Sequence, residues 1–215
     1  MKLLIALPAL NEEETLGRVL ASLPRSVDGV DALDILVVDD GSTDRTGEVA
    51  REGGARLARH PRTRGLGEVF NTVLQQALET GADALVTVDA DGQFDPAELT
   101  LLLEPIMSGK AELATGSRFT GGKRPPGMPI ARFWGNRFFS GLLNLLLGER
   151  LRDVSCGFRA YSREALLHLN LLGKFTYTQE SIFDLVFKGS LTNMSFGAFP
   201  RIREPRQTPD AFLYR

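Results

Sequence analysis

Short, unbroken apolar runs alternate with longer stretches of helical spacing through the first half of the chain. Leu3–Leu7, Ile35–Val38 and Leu85–Val88 are runs of strand length with no polar face, the pattern of strands covered on both sides. Arg56–Arg59 is read as a short additional strand. Between these runs the predicted helices carry start signals. Asn11 with Glu14 has the form of an N-cap and its capping-box partner, opening a helix from Glu12 to about Leu23. Ser42-Thr43-Asp44 offers caps for a helix through about Glu52, and Gly65-Leu66-Gly67 leads into one reaching about Thr80. Asp95-Pro96-Ala97-Glu98 combines an N-cap, a proline at the first helical position and a nearby acid, so a helix is expected to about Ser108. Strand and helix alternate four times in this reading, which predicts an α/β, Rossmann-like, doubly wound and mostly parallel sheet flanked by helices.

The rhythm changes after a strand at Leu113–Thr115. Thr120–Pro129 holds three glycines and three prolines and is expected to be a loop. Ala131–Leu147 is helical, with an apolar face of Phe138, Phe139, Leu142, Leu143 and Leu146. Two fates are open for that face: it lies on a membrane surface, or it packs against the sheet. Phe138–Leu147 is about half the ~20 residues that a spanning helix needs, so no bilayer crossing is expected there. Leu151–Tyr161 reads as extended, Thr178–Lys188 as helical and Leu191–Ala198 as a last strand. With no internal repeat or linker, residues 1–215 are expected to form one domain. Arg201–Arg215 lacks any strong pattern and reads as irregular, as at a cut from a longer chain. Met1–Leu7 imitates the start of a signal peptide, but Pro8 and Asn11-Glu12-Glu13-Glu14 follow, so it is taken as the first strand.

Composition narrows the classes. The 215 residues are 43% hydrophobic and 24% charged, ordinary for a soluble protein, and a formal net charge of −2 gives no reason to expect nucleic acid. Charge is unevenly spread, however. From Leu113 to Gly148 there is no Asp or Glu, whereas Arg118, Lys123, Arg124, Arg132 and Arg137 all fall there, so that segment should attract anions. The single cysteine, Cys156, excludes an internal disulfide and fits a reducing, cytoplasmic compartment; it is expected to be a small buried side chain.

The chemistry concentrates in Val86-Thr87-Val88-Asp89-Ala90-Asp91-Gly92-Gln93. Alternation along a strand puts Asp89 and Asp91 on the same side where strand gives way to loop. Two adjacent carboxylates repel unless a cation joins them, which points to a divalent metal carrying a phosphorylated ligand. The competing reading is an Asp/Gly turn. Asn11, Ser42, Asp44 and Asp95 serve equally well as helix caps or as ligand contacts. His60 and His168 lack metal-ligand spacing and are expected to be structural.

Taken together, Leu7-Pro8-Ala9-Leu10-Asn11-Glu12, Val37-Val38-Asp39-Asp40-Gly41-Ser42-Thr43-Asp44, Asp89-Ala90-Asp91-Gly92-Gln93 and Gly116-Ser117-Arg118 resemble family 2 glycosyltransferases of the GT-A fold. Asp153-Val154-Ser155-Cys156-Gly157-Phe158-Arg159-Ala160-Tyr161 narrows the resemblance to relatives of dolichyl-phosphate mannosyltransferase and bacterial polyprenyl-phosphate glycosyltransferases. The resemblance covers about residues 2 to 200. It implies a hexosyltransferase that uses a GDP- or UDP-sugar, Mg²⁺ or Mn²⁺ and a polyprenyl phosphate, acting as an inverting enzyme in peripheral contact with the inner face of the cytoplasmic membrane. By the same carry-over, Pro8, Ala9, Leu10 and Glu12 line the nucleotide pocket and Val38 and Asp40 hold base and ribose. Asp89, Ala90 and Asp91 reach ribose, diphosphate and metal, and Gln93 completes the metal surroundings. Arg118 and Arg132 match arginines that bind the acceptor phosphate.

A lipid phosphate needs no general base, because its oxygen is already anionic; its difficulty is approach to a second anion. At ~4 Å two unit charges repel by about 4 kcal/mol at an effective dielectric of ~20, so cations must flank the path. Two other readings are carried forward. One is transfer to a soluble hydroxyl with Glu180 or Asp184 as base. The other is a non-catalytic nucleotide-sugar-binding protein of the same fold. The Gln-x-x-Arg-Trp motif of processive synthases is absent, which argues for a single transfer. The family's late basic motif is replaced around Arg203-Glu204-Pro205-Arg206-Gln207-Thr208, where Arg203 or Arg206 would have to substitute at the acceptor phosphate.

Overall fold

A computed structural model describes residues 1–92, 95, 98–119, 124, 127–147, 152–170, 177–187 and 194–196. Strands β1 (Lys2–Ala9), β2 (Ala32–Asp39), β3 (Arg56–Arg59) and β4 (Ala84–Thr87) run parallel, with Ile5 opposite both Ile35 and Val86. Alternation along β1 divides the core in two. Leu3, Ile5, Leu7 and Ala9 pack with helices α1 (Leu16–Ser22), α2 (Thr46–Glu52) and α4 (Leu99–Met107). Leu4 and Ala6 pack on the opposite side with α3 (Leu66–Glu79), α6 (Arg163–His168) and α7 (Thr178–Phe187). A strand buried on both faces needs apolar residues at every position, which is why these runs are continuous.

The complete sheet has seven strands in the order β3-β2-β1-β4-β6-β5-β7, with β5 at Leu113–Thr115, β6 at Arg159–Ser162 and β7 at Met194–Phe196. Strand β6 is antiparallel to both neighbours, β4 and β5. Strand order reverses between β1 and β4, and the crevice outside their carboxyl ends is where an α/β sheet accepts ligands. Asp89 and Asp91 leave β4 at that point. This is the GT-A arrangement.

Several expected elements are corrected. Only Arg159–Ser162 of the segment read as extended forms a strand, because Asp153, Ser155 and Arg159 bond within their own turn. Helix α6 was not foreseen; its start is Ser162, whose hydroxyl accepts the Ala165 amide at 3.2 Å. Asn11 is not a cap. It sits at φ 55°, its side-chain oxygen accepts the Thr43 amide at 2.9 Å, Glu14 is exposed, and α1 starts four residues beyond the expected point. Asp44 stands one residue before the N-cap of α2, Arg45, and accepts the Thr46 amide at 2.9 Å. Of the Gly/Pro loop at Thr120–Pro129 only Arg124 and residues 127–129 are described, and Arg201–Arg215 lies outside the described residues.

Gly41 fixes the turn after β2. Its φ is 81°, and a Cβ there would stand 2.6 Å from the Arg62 carbonyl carbon and 2.7 Å from the Thr63 nitrogen. Gly41→Ala adds left-handed strain to a backbone collision and is expected to cost about 2–3 kcal/mol. Urea denaturation measures it, and an unchanged midpoint would show that the two loops separate without penalty.

Candidate active site

The rim of the crevice is built by two loops that bond to each other. The Asn11 amide donates to Ser42 Oγ at 2.9 Å and the Glu12 amide to Thr46 Oγ1 at 2.7 Å. The Glu13 amide donates to Asp44 Oδ2 at 3.1 Å, and Glu13 returns the contact by accepting the Arg45 amide at 3.0 Å. Residues after β1 and residues after β2 therefore form one unit. Pro8 and Ala9 are buried at its base, Leu10 is half-buried, and Val38 lies in the core. Glu12 is only 6% exposed. Burial raises its carboxyl pKa, opposed by the Thr15 hydroxyl donating at 2.5 Å and assisted by the charges of Asp91 and Asp44.

Buried acids at the end of β2 are held by protein donors. Asp39 accepts the Ser42 amide at 2.8 Å and pairs with Arg59 at 3.1 Å. Asp40 accepts the Arg64 and Gly65 amides, each at 2.9 Å, and lies 2.7 Å from His60 Nδ1. His60 Nε2 in turn meets Thr72 Oγ1 at 2.9 Å, so this histidine ties β3 and α3 to Asp40. Asp40, assigned to base and ribose by resemblance, thus also closes the loop into α3. A cavity of about 440 Å³ opens beside this junction, lined by Gly41, Ser42, Thr43, Arg59, His60 and Pro61.

Asp89 is in a different situation. It is half-buried, as is Asp91, while Ala90 between them is fully buried. What acts on Asp89 is burial and charge. Burial, then Asp91, push its carboxyl up to about 7 against the opposing charges of Arg118 and Arg159. The backbone of Gly157 presses on the same group, where a Cβ would run into the Asp89 carboxylate, and the Gly157 carbonyl is pinned by Thr87 Oγ1 at 2.6 Å. Among the described residues no three His, Cys, Asp or Glu side chains gather into a metal cage. The residues present nevertheless fit Mg²⁺ or Mn²⁺ held jointly with a diphosphate. Such hard ions take one or two carboxylates and complete their shell with phosphate oxygens and water, and a cation would relieve the crowding of Asp89 against Asp91. Gln93, the remaining proposed ligand, lies outside the described residues.

A polar network faces these acids. Arg118 grips Asp153 through Nε at 2.8 Å and Nη2 at 2.9 Å, and Nη2 also reaches Ser155 Oγ at 3.0 Å. Asn136, on α5 (Ile130–Leu147), donates to Asp153 at 2.7 Å and to Ser155, and accepts from Ser140 at 3.0 Å. Helix α5 therefore docks through Asn136, Ser140 and Leu143, all buried, and turns Ile130, Trp134, Phe138, Phe139, Leu142 and Leu145 outward. Of the face read from sequence, Leu143 packs into the core beneath the sheet while Phe138, Phe139 and Leu142 are exposed, and the side chain of Leu146 lies outside the described ones. Arg132 and Arg137 are exposed on the same helix, and Arg124 is exposed and donates to the Met128 carbonyl. Asp184 accepts the Asn170 amide at 2.7 Å, and Glu180 is half-buried in the first turn of α7. Lys123, Arg203 and Arg206 lie outside the described residues. Asn136, Ser140 and Asp153 were given no role from sequence; for the two on α5 the signal is a pair of polar residues one helical turn apart.

The model of the family described as "Glycosyl transferase family 2" matches residues 4–169. The chain belongs to that family. Among its relatives, the UDP-N-acetylglucosamine–dolichyl-phosphate N-acetylglucosaminyltransferase of Methanococcus voltae is 31% identical, the match covering 75% of this chain and 70% of the relative. The undecaprenyl-phosphate mannosyltransferase of Micrococcus luteus is 33% identical over 80% of this chain and 70% of its own. The polyprenol monophosphomannose synthase of Mycolicibacterium smegmatis is 34% identical over 78% of this chain and 64% of its own. The chain thus spans about two thirds of the length of these curated relatives. In structure it is similar to glucosyl-3-phosphoglycerate synthase from Mycobacterium tuberculosis in complex with Mn²⁺, UDP and glucosyl-3-phosphoglycerate, with a TM-score of 0.70 and 25% identity, covering 91% of this chain and 68% of that one.

The Arg118–Asp153 pair makes stability depend on pH. Burial pushes the Asp153 carboxyl up, but the hydrogen bonds and charge of Arg118, with help from Asn136, outweigh it and leave the group below the ordinary carboxylate range. The folded protein binds that proton less tightly than the unfolded chain does. The pair's contribution is therefore complete above the unfolded pKa of about 3.9 and is lost as pH falls through the lower folded value. Asp153→Asn is expected to cost about 3 kcal/mol at neutral pH, with the gap to wild type closing below about pH 4. Thermal unfolding across pH reads this directly; a gap constant with pH would contradict it.

Proposed function

We propose that this chain is a metal-dependent, inverting glycosyltransferase that moves one sugar from a nucleotide-diphosphate sugar to a polyprenyl phosphate. The observation that carries the choice of acceptor is α5. It presents an outward apolar face beside exposed Arg132, while its inner face holds the network of Arg118. An acceptor with an anionic head and a long hydrocarbon tail suits both surfaces. Three relatives are named for transfer to dolichyl phosphate, undecaprenyl phosphate or polyprenol, which supports the same choice.

Each residue then has a task. The joined loops after β1 and β2 hold the nucleoside, with Glu12 and Asp40 at their centre. Asp89 and Asp91 hold Mg²⁺ or Mn²⁺, with Gln93 completing the set, and the bound ion would neutralise charge growing on the departing diphosphate. Arg118 and Arg132 offset repulsion between acceptor phosphate and diphosphate, with Arg206 as a third cation for the acceptor. Asp153 keeps the planar Arg118 fork pointed by engaging two of its nitrogens. No helix among the described residues is long and apolar enough to cross a membrane, so membrane contact is assigned to α5, at the inner face of the cytoplasmic membrane. The second reading, a soluble hydroxyl acceptor, is favoured by the solved relative bound to glucosyl-3-phosphoglycerate. It would need Glu180 or Asp184 as base.

With Mg²⁺ or Mn²⁺, a panel of nucleotide sugars and a polyprenyl phosphate, labelled lipid should form and nucleoside diphosphate be released. Asp91→Ala is expected to lower that rate by about 10³-fold with the fold retained, whereas Glu180→Gln and Asp184→Asn should keep most turnover. Full activity of Asp91→Ala would refute the assignment; a loss of about 10²-fold or more in Glu180→Gln would install a hydroxyl acceptor instead. Donor binding without any product would leave the non-catalytic reading.

Trp134, the sole tryptophan, is 62% exposed on α5 and reports on the membrane. Its emission should shift to the blue with vesicles containing phosphatidylglycerol. Phe138→Asp with Leu142→Asp should weaken that partition by about tenfold or more. No shift at any lipid concentration would remove α5 from the membrane.

A further inference from the structure

Arg159 opens β6 with its side chain fully buried, and its hydrogen bonds all end on neutral oxygens. Nε donates to the Cys156 carbonyl at 2.8 Å and Nη2 to the Val154 carbonyl at 2.9 Å. Nη1 donates to Ser181 Oγ at 2.9 Å and to the Thr178 carbonyl. A buried cation is tolerated only where its donors are satisfied, and a planar fork serves carbonyls that diverge in one plane better than any other side chain. Two of those carbonyls flank Ser155, which receives Nη2 of Arg118 and Nδ2 of Asn136. The other two acceptors lie in the first turn of α7. Gly157, against Asp89, sits within the same turn.

We infer that Arg159 is a positioning residue for the acceptor half of the site: it clamps the 154–157 turn to the start of α7 and so sets where Asp153 and Ser155 hold Arg118. This rests on the proposed lipid-phosphate acceptor for its kinetic consequence, though not for its structural one. The nucleoside-holding loops after β1 and β2 have no direct bond to this clamp among the described residues, whereas Asp89, on the diphosphate side, meets it through Gly157. Loosening the clamp therefore weakens the acceptor while sparing the nucleoside, which loss of a merely structural side chain would not do.

The test compares wild type with Arg159→Lys, which keeps the charge but not the fork, and Arg159→Gln, which keeps part of the hydrogen bonding but not the charge. Amide hydrogen exchange should quicken by about tenfold in 153–157 and 177–182 while β1 and β2 keep their protection. In the transfer assay the acceptor KM should rise about tenfold, because small displacements of a charge clamp are costly, while the Kd of UMP or GMP, measured by calorimetry without metal, stays unchanged. Arg159→Lys should lie between wild type and Arg159→Gln, and it decides the matter if the glutamine variant does not fold. Unchanged or uniformly faster exchange, or a nucleoside-monophosphate Kd that weakens along with the acceptor KM, would overturn the clamp. If wild type makes no lipid-linked product at all, the acceptor assignment falls by itself, and the exchange pattern alone then decides for or against Arg159.

Discussion

A carboxylate taken out of water must be given donors or an opposite charge, and this structure distributes those partners unequally among its strand-end acids. Asp40 and Asp153 are enclosed by amides, a histidine or an arginine fork, while Asp39 has the Ser42 amide on one oxygen and only the charge of Arg59 beside the other. Asp89 receives burial and the adjacent charge of Asp91, and its proton affinity rises accordingly. The bonded acids hold loops in place; at the end of β4 two carboxylates stand close together, and an added cation would offset their repulsion. Everything placed around the crevice, from the joined loops to the Arg118 network, is arranged about that imbalance.

The same logic explains α5. A helix whose inward side carries Asn136 and Ser140 cannot be anchored by apolar burial along its length, so it is held by hydrogen bonds to Asp153 and Ser155. Leu143 is buried beside these contacts and Phe133 packs on Phe119, but the other large apolar side chains described on the helix are left on the outside, Phe138 at 70% and Leu145 at 83% exposed. Such an inverted helix is unfavourable in water alone, and it becomes reasonable beside a hydrocarbon phase.

Much of the sheet could be read from sequence because two-sided burial imposes an uninterrupted apolar run on β1, β2 and β4, and nothing else in the chain imitates it. The apolar run showed that Asp89 and Asp91 lie past the end of β4, but strand alternation does not place them, because β4 ends at Thr87 and Ala90 and Asp91 form a turn. Other features were hidden for physical reasons. Asn11 carries the same letters whether it caps a helix or crosses to the Thr43 amide, and only the fold decides between them. The antiparallel insertion of β6 has no local signature, since four residues suit either direction. Which face of α5 points inward could not be settled by hydrophobicity, because polar contacts with Asp153 chose it. The neutral-acceptor environment of Arg159 was equally invisible, as its partners are main-chain carbonyls brought together only by tertiary structure.

The mutual bonding of the loops after β1 and β2 has a thermodynamic corollary. Six cross-loop bonds, one between Asn11 and Ser42, two between Asn11 and Thr43, one between Glu12 and Thr46, and one each from Glu13 to Asp44 and Arg45, tie the rim together through protein groups alone. The conformational entropy of ordering this rim is thus spent during folding rather than on association. A nucleoside arriving there meets a surface already rigid, so more of its contact energy is retained as affinity, and adaptation to a different donor would have to begin by altering side chains rather than reshaping backbone.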